Sequence, residues 1–197
     1  MNSRMSCARE IAFILISLFL FLSFSILSSG IQDYSLPEAL KVLKAIEKIE
    51  SEQSSGSKNS LREIVITESE LNSYIAYRIE IEKEEIMKEL RLKLFKGDKI
   101  EGKVLMDLRG QKIPKILRPQ MTLYFEAKLE VKDGRVRFDF KDLFIEDQRI
   151  QPMTVDLIIY IGSKITNTEP WSINDWFELP NGIKDIKTGR HKAVFYY

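Results

Sequence analysis

Polar and apolar residues alternate strictly over a long stretch in the second half of the chain. Apolar side chains occupy every second position from Met121 to Val131, and polar or charged ones fill most positions between them. A period of two puts all the apolar side chains on one face of a strand, so the pattern predicts a long strand with one buried face. Asp133 and Gly134 follow it and form a preferred two-residue hairpin turn. We therefore predict a hairpin folded about Asp133-Gly134.

This turn sets the register of the predicted hairpin. On the buried face the pairs are Val131 with Val136, Leu129 with Phe138 and Ala127 with Phe140. On the other face three opposite charges pair: Glu130 with Arg137, Lys128 with Asp139 and Glu126 with Lys141. Such pairs contribute about 0.2 to 1 kcal/mol each. The same register would put Phe125 opposite Asp142, so we expect a bulge or the end of pairing near Lys141.

Two further hairpins are predicted. Alternating runs around Leu90–Leu94 and Ile100–Met106 are joined by Lys96-Gly97-Asp98. This odd-numbered loop places Leu94 opposite Ile100 and Lys93 opposite Glu101, whereas a one-residue slip would reverse every side chain. The last hairpin is expected from Ile183 to Tyr197, around Thr188-Gly189-Arg190 and after a turn at Pro180-Asn181-Gly182.

Helical periodicity marks three other segments. After a start signal at Ser35-Leu36-Pro37-Glu38, apolar residues recur at helical spacing: Leu36, Leu40, Leu43 and Ile46. A capping box at Thr67-Glu68-Ser69-Glu70 opens a second helix with the face Leu71, Tyr74, Ile75, Arg78 and Ile79. The segment Met153–Ile165 fits a helix by spacing and a strand by its β-branched content, and we favour the helix.

The chain divides into three parts on this pattern. Residues 1–30 hold Arg4 and Arg9 ahead of the apolar run Ile11–Leu27, followed by Ser28-Ser29-Gly30. That order is typical of a cleaved signal peptide, and equally of an uncleaved membrane anchor. Residues 31–60 are predicted to be the first helix and a serine-rich linker at 51–60, and 61–197 the main domain. In both cases we expect the remainder to be exported to the periplasm or the exterior of the cell.

The composition of the chain excludes some classes of binding partner. The chain has 197 residues, enough for one domain, of which 44% are hydrophobic and 30% charged. Arg4, Arg9 and Glu10 lie in the leader, so 28 of the 30 basic and 28 of the 29 acidic residues remain in the exported part. A neutral domain does not attract nucleic acid, and any lipid contact should be apolar. Cys7 is the only cysteine, so no disulfide forms within the chain.

Residues suited to catalysis are few. The single histidine, His191, lies beside a predicted turn and is more typical of an exposed turn residue than of a general base or metal ligand. No nucleophile elbow or phosphate-binding glycine loop occurs. An aromatic cluster such as Trp171, Trp176 and Phe177 suits a ligand platform or a membrane-interface anchor, but core packing under a loop is the commoner role. The basic residues around Arg109 and Arg118 are expected to be a solvated connection. We predict a non-catalytic protein without metal or cofactor.

The segment from Ile64 to Tyr74, reading IVITESELNSY, resembles the strand-to-helix opening of tubular lipid-binding (TULIP-like) and AsmA-like envelope proteins. The resemblance extends over about Ile64–Tyr197 and includes Leu179-Pro180-Asn181-Gly182-Ile183. It implies an α+β fold: a long curved antiparallel sheet of hairpins, a half-tube with two or three helices on one face. In those families the apolar side of the sheet holds acyl chains.

Applied to this chain, the resemblance makes one apolar face the candidate binding surface. Its residues would be Leu123, Phe125, Leu129, Val136, Phe138 and Phe140. The helices could leave a slot for lipid there or close the face into a dry core. The alternative function is an envelope scaffold or assembly factor that holds other proteins through its N-terminal helix and exposed sheet edges.

Overall fold

The computed structural model describes residues 34–54, 61–83, 86–109, 118–166 and 169–197. The predicted leader (1–30), residues 55–60 of the predicted linker and the basic stretch within 110–117 lie outside the described residues. Within the described ranges no helix is both long enough and apolar enough to cross a bilayer.

Helix α1 spans Leu36–Ser54 and begins where the sequence predicts. Ser35 caps it, since its Oγ accepts a hydrogen bond from the Glu38 amide at 3.4 Å. The predicted apolar stripe is partly wrong, because Leu36 and Leu40 are 47% and 41% exposed. The stripe that is buried is Ala39, Val42, Ile46 and Ile49. The predicted linker also starts too early, since the helix continues to Ser54.

Helix α2 spans Glu68–Ile81 and carries the predicted capping box. The Glu70 amide donates to Thr67 Oγ1 at 3.2 Å, and the Thr67 amide donates to Glu70 Oε2 at 2.9 Å. Helix α1 packs along α2, and Lys41 Nζ reaches Glu70 Oε1 at 3.1 Å. Helix α1 is therefore docked on the main domain and not separated from it.

The main sheet is antiparallel and curves into a half-barrel. Its strands in spatial order are β2 (Met87–Leu94), β3 (Lys99–Asp107), β4 (Gln120–Lys132), β5 (Arg135–Ile145) and β6 (Gln148–Arg149). A short strand, β7 (Phe177–Glu178), pairs with the start of β5. The predicted Leu94–Ile100 and Lys93–Glu101 pairs of the first hairpin are confirmed.

The β4–β5 hairpin confirms the predicted register next to its turn. Val131 lies opposite Val136 and Leu129 opposite Phe138, and the expected bulge occurs between Glu126 and Ala127. The bulge makes the third predicted charge pair wrong, since Glu126 lies opposite Asp142. Lys99 binds Glu126 at 2.8 Å instead, and Lys141 binds Asp139 at 2.5 Å. The shift brings Phe125 opposite Leu143, so an apolar pair replaces a phenylalanine facing an aspartate.

A smaller antiparallel sheet completes the β structure. Its order is β1 (Glu63–Thr67), β9 (Lys192–Tyr196) and β8 (Asp185–Gly189), which confirms the C-terminal hairpin. The Thr188 amide donates to Asp98 Oδ1 at 2.9 Å, and Thr188 Oγ1 donates to the Phe95 carbonyl at 2.6 Å. These bonds join the small sheet to the β2–β3 turn.

Helix α3 spans Pro152–Thr166, so the favoured helical interpretation is confirmed. It contributes Val155, Ile158 and Ile159 to a cluster of buried apolar residues that also draws on α1, α2 and both sheets. The architecture is therefore α+β, with the helices of the described residues packed on one side of the sheet around a shared core.

Candidate functional site

The long sheet has one charged face and one apolar face. In β4 the burial alternates from Met121 to Leu129, as a strand with one solvated face requires. All six predicted ligand-binding residues lie on the apolar side. Five are buried, with exposures of 2% for Leu123, 8% for Phe125, 3% for Leu129, 1% for Val136 and 4% for Phe138. Phe140 is the exception, because its side chain is only partly buried.

Three of these residues form an aromatic row. The Phe125 and Phe140 rings are 5.4 Å apart at an interplanar angle of 72°, an edge-to-face contact. Phe140 in turn lies 6.1 Å from Phe138. The aromatic row (Phe125, Phe140 and Phe138) thus crosses from β4 to β5 and continues along β5 toward the hairpin turn.

A glycine makes room for this row. Gly102 of β3 lies directly opposite Phe125, and a methyl group placed on it would be 2.1 Å from Phe125 Cζ. The ring therefore lies over a position that only glycine fits. Sequence reasoning missed Gly102, although a lone glycine inside an alternating strand indicates a close approach by another group.

In the part of the chain that the structure describes, strands pair with the outer edge of β5 only at its two ends. Strand β7 pairs with Arg135 and Val136, and β6 pairs with Phe144 and Ile145. The amide of Ile150, which follows β6, donates a hydrogen bond to the Leu143 carbonyl at 2.9 Å. Within the described residues no strand pairs with positions 137–142 on that side. This edge gap, about 20 Å long at strand spacing, contains Phe140.

The predicted tryptophan cluster borders the edge gap. The Arg137 guanidinium lies 4.7 Å from the centre of the Trp176 ring and also binds Glu130 at 2.8 Å. Trp171 packs edge-on against Phe177, with ring centres 5.7 Å apart. Trp171, Trp176 and Phe177 are each partly buried. Trp171 and Phe177 pack against the buried core, and Trp176 stacks on Arg137 next to the start of β5.

Helix α3, which follows the other end of the edge gap, is apolar on two sides. Its inner side chains Val155, Ile158 and Ile159 are buried, while its outer side exposes Leu157 and other apolar residues. Asp156 fixes the helix to the loop beyond it, accepting hydrogen bonds from Ser172 Oγ at 3.1 Å and the Ile173 amide at 2.9 Å. Helix α3 is thus held to the following loop by polar bonds and to the core by its buried apolar side chains.

The opposite edge of the sheet, β2, is closed by polar groups. Asn72 Nδ2 donates to the Leu92 carbonyl and the Leu92 amide donates to Asn72 Oδ1, both at 2.8 Å. The Leu94 amide donates to Glu68 Oε2 at 2.6 Å, and the Leu94 carbonyl accepts from the His191 amide at 3.0 Å. Side chains of α2 therefore occupy the positions that a further strand would take.

The geometry around His191 gives it a structural role. Its Nδ1 lies 3.3 Å from Glu68 Oε2, the same oxygen that accepts the Leu94 amide, and its side chain is 65% exposed. Across the described ranges no group of three or more His, Cys, Asp or Glu side chains is arranged to hold a metal ion.

The basic residue Arg109 binds Asp107 at 2.5 Å, and this hydrogen bond lowers the pKa of the Asp107 carboxyl.

Comparison of the chain with protein-family models, curated proteins and solved structures finds no match. The candidate site is therefore defined by the aromatic row and the edge gap of β5, and the inner side of α3 belongs to the same buried cluster. Its lining is apolar, which suits the burial of a hydrocarbon group.

Proposed function

We propose that this chain is a non-catalytic exported envelope protein that binds a lipid acyl chain, or another apolar ligand, against the apolar face of its curved sheet. The observation that carries the proposal is the edge gap beside Phe140. It leaves an aromatic side chain partly exposed at a point where the sheet has no neighbouring strand within the described residues. An apolar chain entering there would meet the aromatic row and the inner side of α3.

The chemistry of the lining favours an apolar ligand. The aromatic row and the buried side chains around it carry no charge, and a polar ligand would lose its hydration without gaining partners. A hydrocarbon gains about 25 cal/mol for each Å² that it buries. The ligand we propose is therefore the acyl part of a lipid, with its headgroup outside the gap.

Two features of the sequence support an envelope location. The arginines and apolar run of residues 1–30 have the order of an export signal or anchor. The resemblance of Ile64–Tyr74 to TULIP-like and AsmA-like proteins implies a half-tube that holds acyl chains, and the curved sheet agrees with that architecture. Export and lipid binding are proposed together, because an apolar site outside the cytoplasm would act on envelope lipids.

The test is native mass spectrometry with lipid extraction on residues 31–197, purified from a bacterial host without detergent. A fluorescent fatty acid is then titrated into the protein. We expect a co-purifying lipid at stoichiometric level, and Phe140→Ser to weaken fatty acid binding at least tenfold. Phe140 is chosen because its partial burial makes the fold less dependent on it than on Phe138.

Val65→Ser is the matched control, since Val65 is 48% exposed on β1 and outside the candidate site. It should leave fatty acid affinity unchanged within twofold. A lipid-free mass together with no uptake of the added fatty acid would contradict the proposal. So would equal losses in the two variants.

The edge gap also favours a second candidate, a scaffold that binds other proteins. An unpaired strand edge accepts an extended peptide by backbone hydrogen bonds, and positions 137–142 are long enough for one. If the chain is a scaffold, a peptide from its partner should bind to it, while fatty acid should not. The partly exposed Phe140 favours the lipid, because strand addition uses backbone groups and needs no aromatic side chain at the opening.

A further inference from the structure

We propose that the outer side of α3 docks on the surface of a lipid bilayer. The inference rests on the proposed function, because it supplies the route by which the apolar face would meet its lipid. The surface concerned is a single row of exposed side chains, here called the outer stripe: Met153, Leu157, Tyr160 and Lys164.

Helical spacing aligns these four residues. They follow one another at intervals of four, three and four positions, which places them along one side of the helix. Met153 is 79% exposed, and Leu157 and Tyr160 are 46% and 48% exposed. Helices on soluble domains normally turn polar side chains outward, so an outer side of this composition indicates contact with a second apolar phase.

The charge of the outer stripe suits a membrane interface. Its one charged side chain is Lys164, whose Nζ lies 5.3 Å from the centre of the Tyr160 ring. The acidic residue of the helix, Asp156, is engaged by Ser172 and Ile173. An apolar row that ends in a tyrosine and a lysine is the pattern of a helix lying in the plane of a bilayer, with the ammonium among the headgroups.

The position of the apolar leader favours a bilayer over a second copy of the chain. Its run ends at Leu27, seven residues before Tyr34, and an extended chain of that length reaches about 25 Å. An uncleaved leader would therefore keep the domain close to the membrane. A two-fold contact between copies would instead bring Lys164 into an apolar interface that has no acidic side chain on the stripe.

Docking through the outer stripe would place the edge gap at the membrane. Helix α3 follows β6, which pairs with the end of β5 just beyond the gap. The inner side of α3 belongs to the same apolar core as the aromatic row. One helix therefore faces the bilayer with one side and the proposed ligand site with the other.

The experiment places a nitroxide label on the full chain in vesicles of phosphatidylcholine and phosphatidylglycerol. Leu157→Cys is labelled in a Cys7→Ser background, and the matched control is Tyr124→Cys, which is 42% exposed on the charged face of β4. Collision with oxygen and with a water-soluble nickel complex is measured by spin resonance. The label at 157 should be at least threefold less accessible to nickel, and more accessible to oxygen, than the label at 124.

Three results would overturn the proposal. The two labels could be equally accessible to nickel in vesicles. The label at 157 could be protected from nickel in residues 31–197 without vesicles, which would indicate a second copy on the stripe. Leu157→Glu could leave the rate of fatty acid extraction from vesicles unchanged, where we expect a fall of at least tenfold. Solution binding of fatty acid by Leu157→Glu, expected within twofold of the parent protein, separates failure of docking from failure of the ligand site.

Discussion

The two edges of the long sheet are protected by different chemistry. At β2, Asn72 and Glu68 hydrogen-bond the backbone of Leu92 and Leu94, so the edge is filled by polar groups. At β5, within the described residues, no strand pairs with positions 137–142 on the side away from β4, and the aromatic row lies beside this edge. An open strand edge invites association, and natural proteins usually block it.

The two edges differ in whether side chains hydrogen-bond the backbone groups of the strand. At the β2 edge, the side-chain amide of Asn72 hydrogen-bonds both the amide and the carbonyl of Leu92. These backbone groups are therefore not free to pair with another molecule. The β5 edge has a partly exposed phenylalanine at its centre. The proposed ligand site therefore lies at the β5 edge, and three substitutions test the comparison between the two edges.

The largest loss of stability is expected on substitution of Gly102, because the position of the aromatic row depends on this glycine. Gly102→Ala should lower the free energy of unfolding by about 3 kcal/mol, because its methyl group would overlap the Phe125 ring and force that ring out of place. Urea unfolding followed by tryptophan fluorescence measures the change. Combining it with Phe125→Leu should recover about 1 kcal/mol relative to Gly102→Ala.

Gly162→Ala is the control for that substitution. Gly162 lies inside α3, and a methyl group there meets no atom within 4 Å. It should stabilise the protein by about 0.5 kcal/mol through helix propensity. If Gly102→Ala and Phe125→Leu simply add, the steric account of the aromatic row is wrong.

The second-largest loss of stability is expected at the β2 edge. Asn72→Ala removes both side-chain hydrogen bonds to Leu92 and should cost about 2 kcal/mol. Hydrogen exchange of the Leu92 amide should become faster than in the parent protein, because its acceptor is lost. Asn174→Ala, at an exposed loop position, is the control and should change stability by less than about 0.5 kcal/mol. Unchanged exchange at Leu92 would show that α2 does not close this edge.

The smallest effect on stability is a pH-dependent one at Glu70, in the capping box of α2. Burial raises the pKa of this carboxyl, but hydrogen bonds from Thr67 and Lys41 outweigh it, and the pKa lies below its ordinary value of 4.5. Since a lowered pKa stabilises the ionised fold, the contribution is present above pH 4.5 and is lost as the pH falls through the folded-state value. Glu70→Gln should therefore cost about 1 kcal/mol at pH 7 and less at pH 3.

Unfolding of Glu70→Gln and the parent protein at both pH values measures this difference. Lys41→Gln should give part of the same loss at pH 7, since Lys41 is the charged partner of Glu70. A cost that is equal at pH 7 and pH 3 would mean that the carboxylate charge does not contribute.

Local sequence patterns were sufficient for the hairpins and helix starts. The register next to Asp133-Gly134, the Leu94–Ile100 pair and the capping box at Thr67 depend on neighbours a few residues apart, and these were correct. The six predicted ligand residues share one face for the same reason, since alternation assigns a face without knowledge of what covers it.

Features that depend on contacts between distant segments could not be predicted in this way. The rotation of the α1 stripe toward Ala39 and Ile49 follows from its packing on α2. The role of Gly102 requires Phe125 to lie on the neighbouring strand, and the closure of β2 requires Asn72 to reach a strand twenty residues away. The extent of the edge gap depends on β7, a distant strand that pairs only with the start of β5, whereas β6 follows β5 directly and pairs with its end. Pairing of this kind is decided by packing of the whole core, whereas turn chemistry and alternation act within single elements.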